Sequence, residues 1–202
     1  MKTSSTKESG IELAWLEAEK AAKQADHNKV MAILKRLDEL GVWQATARIG
    51  EFYETGAVDL PKNADEAVKW YRKAVFESDD PLAHLGLGRI YYEGSTSVQQ
   101  DYSKARTHLE KAFAKGLHQA GIYLGIMNMF GVDRERDLPA AEFFFLSAAR
   151  AGFPVGYRYL ANISASSGHF FRTIGLLCKE AILSIKLKII DRNHPNLWRA
   201  PK

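Results

Sequence analysis

Few residues in this chain have the types and spacing that chemistry needs. Gly86-Leu87-Gly88 has the opening of a dinucleotide-binding loop, in which glycines let backbone approach a pyrophosphate. The third glycine of such a loop would fall at Tyr91, and no strand-like run precedes it, so these glycines read as part of a repeat. The histidines (His27, His84, His108, His118, His169 and His194) show no metal-ligand spacing to a second ligand. Ser4 and Lys7 have Ser-x-x-Lys spacing, but they stand in a polar N-terminus without partners. Asn162-Ile163-Ser164 spells a glycosylation acceptor, which means something only in a secreted chain. Cys178 is the sole cysteine, so no internal disulfide can form. On an apolar helix with no nearby histidine, it reads as a buried thiol rather than a nucleophile. Glu51 and Glu54 are the one carboxylate pair a hydrolase could use as acid and base. Three residues apart, they also have plain surface spacing. No catalytic residue, metal or cofactor is expected.

The elements that would position any site are repeated. Three stretches each carry an alanine, a glycine five residues later and another glycine six beyond that: Ala45, Gly50, Gly56; Ala83, Gly88, Gly94; Ala120, Gly125, Gly131. A second helix follows each, with a capping residue four before an alanine: Asn63 and Ala67, Asp101 and Ala105, Asp137 and Ala141. Asn and Asp side chains accept from the free amides of a first helical turn. Successive units step by 36 to 38 residues, a period that means stacked helix pairs. Glycine within a helix costs about 1 kcal/mol relative to alanine. Its recurrence at Gly50, Gly88 and Gly125 therefore predicts that helices approach closely there.

Before the repeats, 11–25 and 29–40 read as a helix pair ended by Gly41. After them, 153–166 keeps Leu160 and Ile163 but has Ala161 at the middle-glycine place, and a long second helix follows. Residues 184–190 also alternate like a strand, though a lone strand would have no sheet to join. The expected organisation is a disordered 1–10, a helix pair at 11–43, and repeats at 44–80, 81–116 and 117–152. A degenerate repeat with a capping helix at 153–190 and a tail at 191–202 complete it.

Composition agrees with a folded chain: 46% hydrophobic and 26% charged residues. The formal charge of +4 is unevenly placed. Residues 169–202 hold 7 basic against 2 acidic residues, leaving 21 against 22 for the rest. A neutral body argues against a nucleic-acid binder. No apolar run has the length of a membrane span, and the first ten residues lack a signal-peptide h-region. A cytoplasmic protein is the expectation.

The spelling Ala83, Leu87, Gly88, Tyr91, Gly94, Val98, Asp101, Ala105 resembles the Sel-1-like repeat, the longer-looped relative of the tetratricopeptide repeat. Ala45, Ile49, Gly50, Tyr53, Gly56, Leu60, Asn63, Ala67 and the Trp70-Tyr71 pair match in the first copy. The third copy has Asn128 in place of Tyr and a loop one residue shorter. The N-terminal pair resembles a plain tetratricopeptide hairpin. The resemblance implies an all-α, right-handed superhelical solenoid of antiparallel helix pairs, serving as an adaptor or scaffold for protein complexes. The family's distribution points to a bacterial source.

In such stacks the first helix of each pair lines a concave groove. Its free positions would be Ala47, Glu51 and Glu54; Leu85, Arg89 and Tyr92; Ile122, Ile126 and Met129; and Arg158, Asn162 and Ala165. Leu85, Tyr92, Ile122, Ile126 and Met129 read as a docking strip for a partner's helix or peptide, or, with the register one residue off, as core. In the last helix Ile174, Leu177, Cys178, Ala181, Ile182, Ile185 and Ile189 form an apolar face bordered by Arg172, Lys179, Lys186 and Lys188. Three readings stand for it: a cap on the last repeat, a self-association surface giving a homodimer, or attachment to an anionic membrane surface.

Overall fold

The computed structural model describes residues 2–57 and 60–191, with side-chain surroundings over 9–57 and 60–187. Among them are ten helices and no strand; Ala57 and Leu60 form an isolated antiparallel bridge. The fold is all-α, built of consecutive helix pairs. In chain order the helices are α1 (Lys2–Lys23), α2 (His27–Glu39), α3 (Trp43–Thr55), α4 (Ala64–Ser78) and α5 (Pro81–Glu93). Then come α6 (Tyr102–Ala114), α7 (Ala120–Phe130), α8 (Leu138–Arg150), α9 (Val155–Ser166) and α10 (Phe170–Asp191). Two compact units divide the chain, one through Gly86 and the other from Leu87.

One boundary differs from expectation, and the helical reading of 184–190 holds over its strand alternative. Residues 2–10, expected disordered, belong to α1. Once the Ala-, Glu- and Lys-rich stretch after Ile11 has nucleated a helix, each added residue costs little, and Gly10 is too weak a breaker to stop it. Residues 184–190 are helical within α10. The expected tail lies, past Asp191, outside the described residues.

Each repeat closes by the same bonds. The side chains of Asn63, Asp101 and Asp137 accept from the amides of Glu66, Lys104 and Ala140 at 3.1, 2.9 and 2.9 Å. The backbone amides of the same three residues donate back to the carbonyls of Tyr53, Tyr91 and Asn128 at 2.8, 2.8 and 2.9 Å. Each capping residue thus starts its own helix and ties it to the end of the preceding one. Gly56, Gly94 and Gly131 end that preceding helix at φ +72°, +69° and +70°, where a side chain would be strained.

Each mid-helix glycine faces a large, fully buried side chain of the paired helix. A Cβ at Gly50 would lie 2.7 Å from Tyr71 Cδ1, one at Gly88 2.6 Å from Leu109 Cγ, and one at Gly125 2.5 Å from Phe145 Cε1. Tyr71, Leu109 and Phe145 each stand four residues after the fully buried alanine, Ala67, Ala105 or Ala141. That spacing puts alanine and large residue on one helix face. Gly86 also faces the Tyr71 ring closely, so this ring has glycine backbone on two sides.

In the first unit a polar node joins three helices: Asp38 of α2 accepts from Thr46 Oγ1 of α3 at 2.6 Å and from Lys73 Nζ of α4 at 2.7 Å. Below it Trp15, Val30, Leu34, Leu37 and Ile49 form the core of α1 to α3. At the end of α4, Asp79 takes the left-handed conformation, φ +51°, and faces Nε2 of the buried His84 at 2.7 Å. Asp80 beside it caps α5 by accepting from the Ala83 amide at 2.9 Å. Burial pushes the Asp80 carboxyl above the usual range, against backbone hydrogen bonds from Ala83 and Leu82.

In the second unit Ala141, Phe145, Leu160 and Ile163 form a core that Leu176 of α10 also packs on. Arg106 is buried on α6, donating from Nε to Asp133 at 3.1 Å and from a terminal nitrogen to the Val132 carbonyl at 2.8 Å. His108, expected as partly buried packing, stacks on Tyr91 with centroids 5.8 Å apart.

Candidate partner-binding surface

The positions expected to line a groove separate into three groups. Leu85 is a correction: at 1% exposure it is core, and Ala47 is buried in the same way. Residues 83–88 of α5 are all buried, so this helix is enclosed on every side there and leaves no free face at Leu85. Glu51 and Glu54 are half-buried and engaged. Glu51 pairs with Arg48 at 2.9 Å, and Glu54 accepts from the Tyr71 hydroxyl at 2.6 Å. Each carboxylate is thus turned to a neighbour of its own. Among the described residues no group of three His, Cys, Asp or Glu is placed to hold a metal ion.

In the second unit Arg89, Tyr92, Ile122, Ile126 and Met129 are half-buried, while Arg158 and Asn162 are exposed. Tyr92 sits edge-on to Tyr102 and Tyr123, at 5.6 and 5.7 Å. Burial raises its hydroxyl pKa, with Tyr102 and Tyr159 adding to the effect. Ile126 and Met129 pack on the Phe145–Leu160 core, so each is partly core and partly surface. Arg158 is held by Glu180 of α10.

Met129 and Asn162 come together at one cavity of about 400 Å³, lined also by Phe130, Arg136, Ile163 and Ser166. Half of the lining is apolar, Met129, Phe130 and Ile163, and Arg136 and Asn162 add side chains able to donate hydrogen bonds; the Ser166 hydroxyl donates to the Ile163 carbonyl at 2.8 Å. A lining of this kind suits an apolar side chain next to a hydrogen-bond acceptor. Sequence reasoning missed Phe130 and Arg136. Phe130 is 67% exposed, and its counterparts in the earlier repeats are Thr55 and Glu93. An aromatic where sister repeats keep polar residues was the available signal.

A second cavity, of about 370 Å³, is lined by His118, Phe143, Leu146, Ser147, Arg150 and Ala151. Phe113, Phe143 and Phe144 cluster edge to face beside it, and His118 Nδ1 lies 3.0 Å from Ser147 Oγ. Phe143 too replaces polar residues, Lys69 and Thr107, of the earlier copies. Cys178, expected buried, is exposed, because α10 turns its other face to the core. No described helix is long and apolar enough to cross a membrane.

Comparison with known proteins gives a consistent picture. The Sel1 repeat family model matches residues 43–75, 81–117 and 119–153. Chitin synthase regulatory factor 3 of Schizosaccharomyces pombe is 30% identical over 162 residues, 76% of this chain and 17% of that protein. The ERAD-associated E3 ubiquitin-protein ligase component HRD3B of Arabidopsis thaliana is 30% identical over 116 residues, 57% of this chain and 18% of its own. The chain therefore spans under a fifth of these curated relatives' length. Among solved structures, a Sel1 repeat protein from Oxalobacter formigenes matches with TM-score 0.66 at 20% identity, covering 81% of this chain and 71% of that one. The protective antigen c5321 of uropathogenic Escherichia coli strains, which has the same repeat fold, matches with TM-score 0.64 at 24% identity, covering 76% and 33%. At these identities the likeness bears on the fold alone.

Proposed function

The chain belongs to the Sel1 repeat family, and on that footing we propose that it is a non-catalytic scaffold gripping a protein partner at the α7–α9 cavity. Sel1 repeat proteins are in general protein–protein interaction scaffolds, and the names of the two curated relatives, a regulatory factor and a ligase component, fit that role. The observation that carries the reading is the cavity itself, whose lining combines Met129 and the exposed Phe130 of α7 with Asn162 of α9. A partner helix or extended peptide would put an apolar side chain onto Met129, Phe130 and Ile163. Its neighbouring carbonyl or carboxylate would accept from Arg136 and Asn162. Desolvated aromatic and arginine contacts of this kind dominate binding energies.

The carboxylates that a hydrolase would need are engaged by Arg48 and Tyr71, which favours gripping over turnover. A photo-crosslinking residue at Asn162 should capture one partner in cells, whereas the same residue at the exposed Lys111 should not. Phe130→Asp should abolish that capture with helical content unchanged, since Phe130 supports no core. Capture of the same proteins from both positions, or capture indifferent to Phe130→Asp, refutes the reading.

A further inference from the structure

The last helix has two apolar sides, and only one is used. Toward α9 and α8, Leu176 enters the core, Glu180 pairs with Arg158, and Arg172 pairs with Glu142 at 3.1 Å. These contacts fix the rotation of α10 about its axis. The opposite side presents Phe170, Phe171, Ile174, Leu177, Ile182 and Ile185, each between 44% and 87% exposed. At 3.6 residues per turn these six fall within one sector of the helix surface and make a stripe along it, with the exposed Cys178 inside it. Isolated exposed hydrophobes need no explanation; a stripe of six large ones on a single helix does.

The charges beside the stripe say what covers it. Lys179 and Lys186 stand seven residues apart and share one flank of the helix, while Arg172 on the same line is already paired with Glu142. A twofold-related copy packed antiparallel through the stripe would bring this lysine-bearing flank against itself, like charge on like. An anionic sheet of lipid headgroups suits the same pattern: apolar side chains enter the acyl boundary, and the lysine ammonium groups stay at phosphate level. The helix is 22 residues long, and no described helix is apolar enough to span a bilayer, so α10 would lie along the surface.

We propose that the outer face of α10 docks this chain on an anionic membrane surface, leaving the α7–α9 cavity to a protein partner. This goes beyond the scaffold reading and stands or falls separately from it, because the two use different residues. The test uses the full chain and its one cysteine. Labelled at Cys178 with a polarity-sensitive dye, the protein should show a blue shift with vesicles of phosphatidylcholine and phosphatidylglycerol, and none with phosphatidylcholine alone. The unlabelled chain should sediment with the anionic vesicles and be released by high salt. Lys179→Ala with Lys186→Ala should weaken partitioning about thirty-fold, from the attraction of an anionic leaflet for each cation. Both lysines are exposed, so circular dichroism should not change. Equal binding to neutral vesicles, salt-insensitive binding, or no binding overturns the proposal. So does a dye shift that grows with protein concentration without lipid, together with a Cys178–Cys178 crosslink, which would make the covering element a second copy.

Discussion

Replacing Gly125 by alanine should destabilise this protein, although the same change at most helical glycines does the opposite. Alanine in a helix interior is favoured by about 1 kcal/mol over glycine. At Gly125 the added Cβ would stand 2.5, 2.7 and 2.8 Å from three carbons of the Phe145 ring, inside any separation real Cβ atoms keep. The ring is fully buried and stacked on Tyr159, with centroids 4.6 Å apart and planes 10° from parallel, so it has no free direction in which to yield. Overpacking of this kind costs about 1–3 kcal/mol, and a hemmed-in ring belongs at the upper end. The balance is a net loss of about 1–2 kcal/mol. Gly175 of α10 supplies the control: nothing lies within 4 Å of its Cβ position, so Gly175→Ala should gain up to about 1 kcal/mol. Thermal and urea unfolding followed by circular dichroism would read both. Adding Phe145→Leu to Gly125→Ala should cost less than the two changes summed, a coupling of about 1 kcal/mol. If Gly125→Ala stabilises as much as Gly175→Ala, the close-approach account of the repeat glycine is wrong.

Asn63→Ala should lower stability by about 1 kcal/mol through loss of the α4 cap, and Asn63→Asp should restore it; equal effects from both would show that the side-chain bond to Glu66 is not what matters. Asp80 gives a pH signature. Its folded pKa is raised by burial, so its contribution is full below the ordinary aspartate range and fades as pH rises through the raised value. Asp80→Asn, which keeps an oxygen for the Ala83 amide, should therefore raise the midpoint more at neutral than at mildly acid pH, and a shift independent of pH would contradict this. Arg106→Met should cost about 1–3 kcal/mol in urea unfolding, because the Val132 carbonyl loses its donor. A neutral result would mean water replaces the guanidinium there.

What could be read without coordinates was whatever the backbone itself demands. Glycines at 50, 88 and 125 and capping residues at 63, 101 and 137 are restricted choices, each with one physical use, and they spell helix pairs in order. Solvent exposure was harder to read, because it depends on neighbours that spacing does not locate. Leu85 looks identical to Ile122 in register, yet one is core and the other half-exposed. α10 is apolar on two sides, and periodicity alone favours the broader one. The pairs Arg158–Glu180 and Arg172–Glu142 select the narrower side for the core, and with it the exposure of Cys178. The cavity at Met129 and Asn162 was half visible, its other half lying in Phe130 and Arg136, which belong to no repeat consensus.

The hydrogen bonds that the backbone amides of Asn63, Asp101 and Asp137 donate to the preceding helices bear on how such chains diversify. They act as a clasp at the neck of each connecting segment, so the two helices are held whatever runs between them. The first two segments from carbonyl to capping residue are ten residues apart in sequence and the third is nine, yet all three clasps close at 2.8–2.9 Å. Length and spelling beyond the clasp are therefore free to drift, and a foreign peptide grafted between Ser95 and Val98 should be displayed without disturbing the helices that flank it.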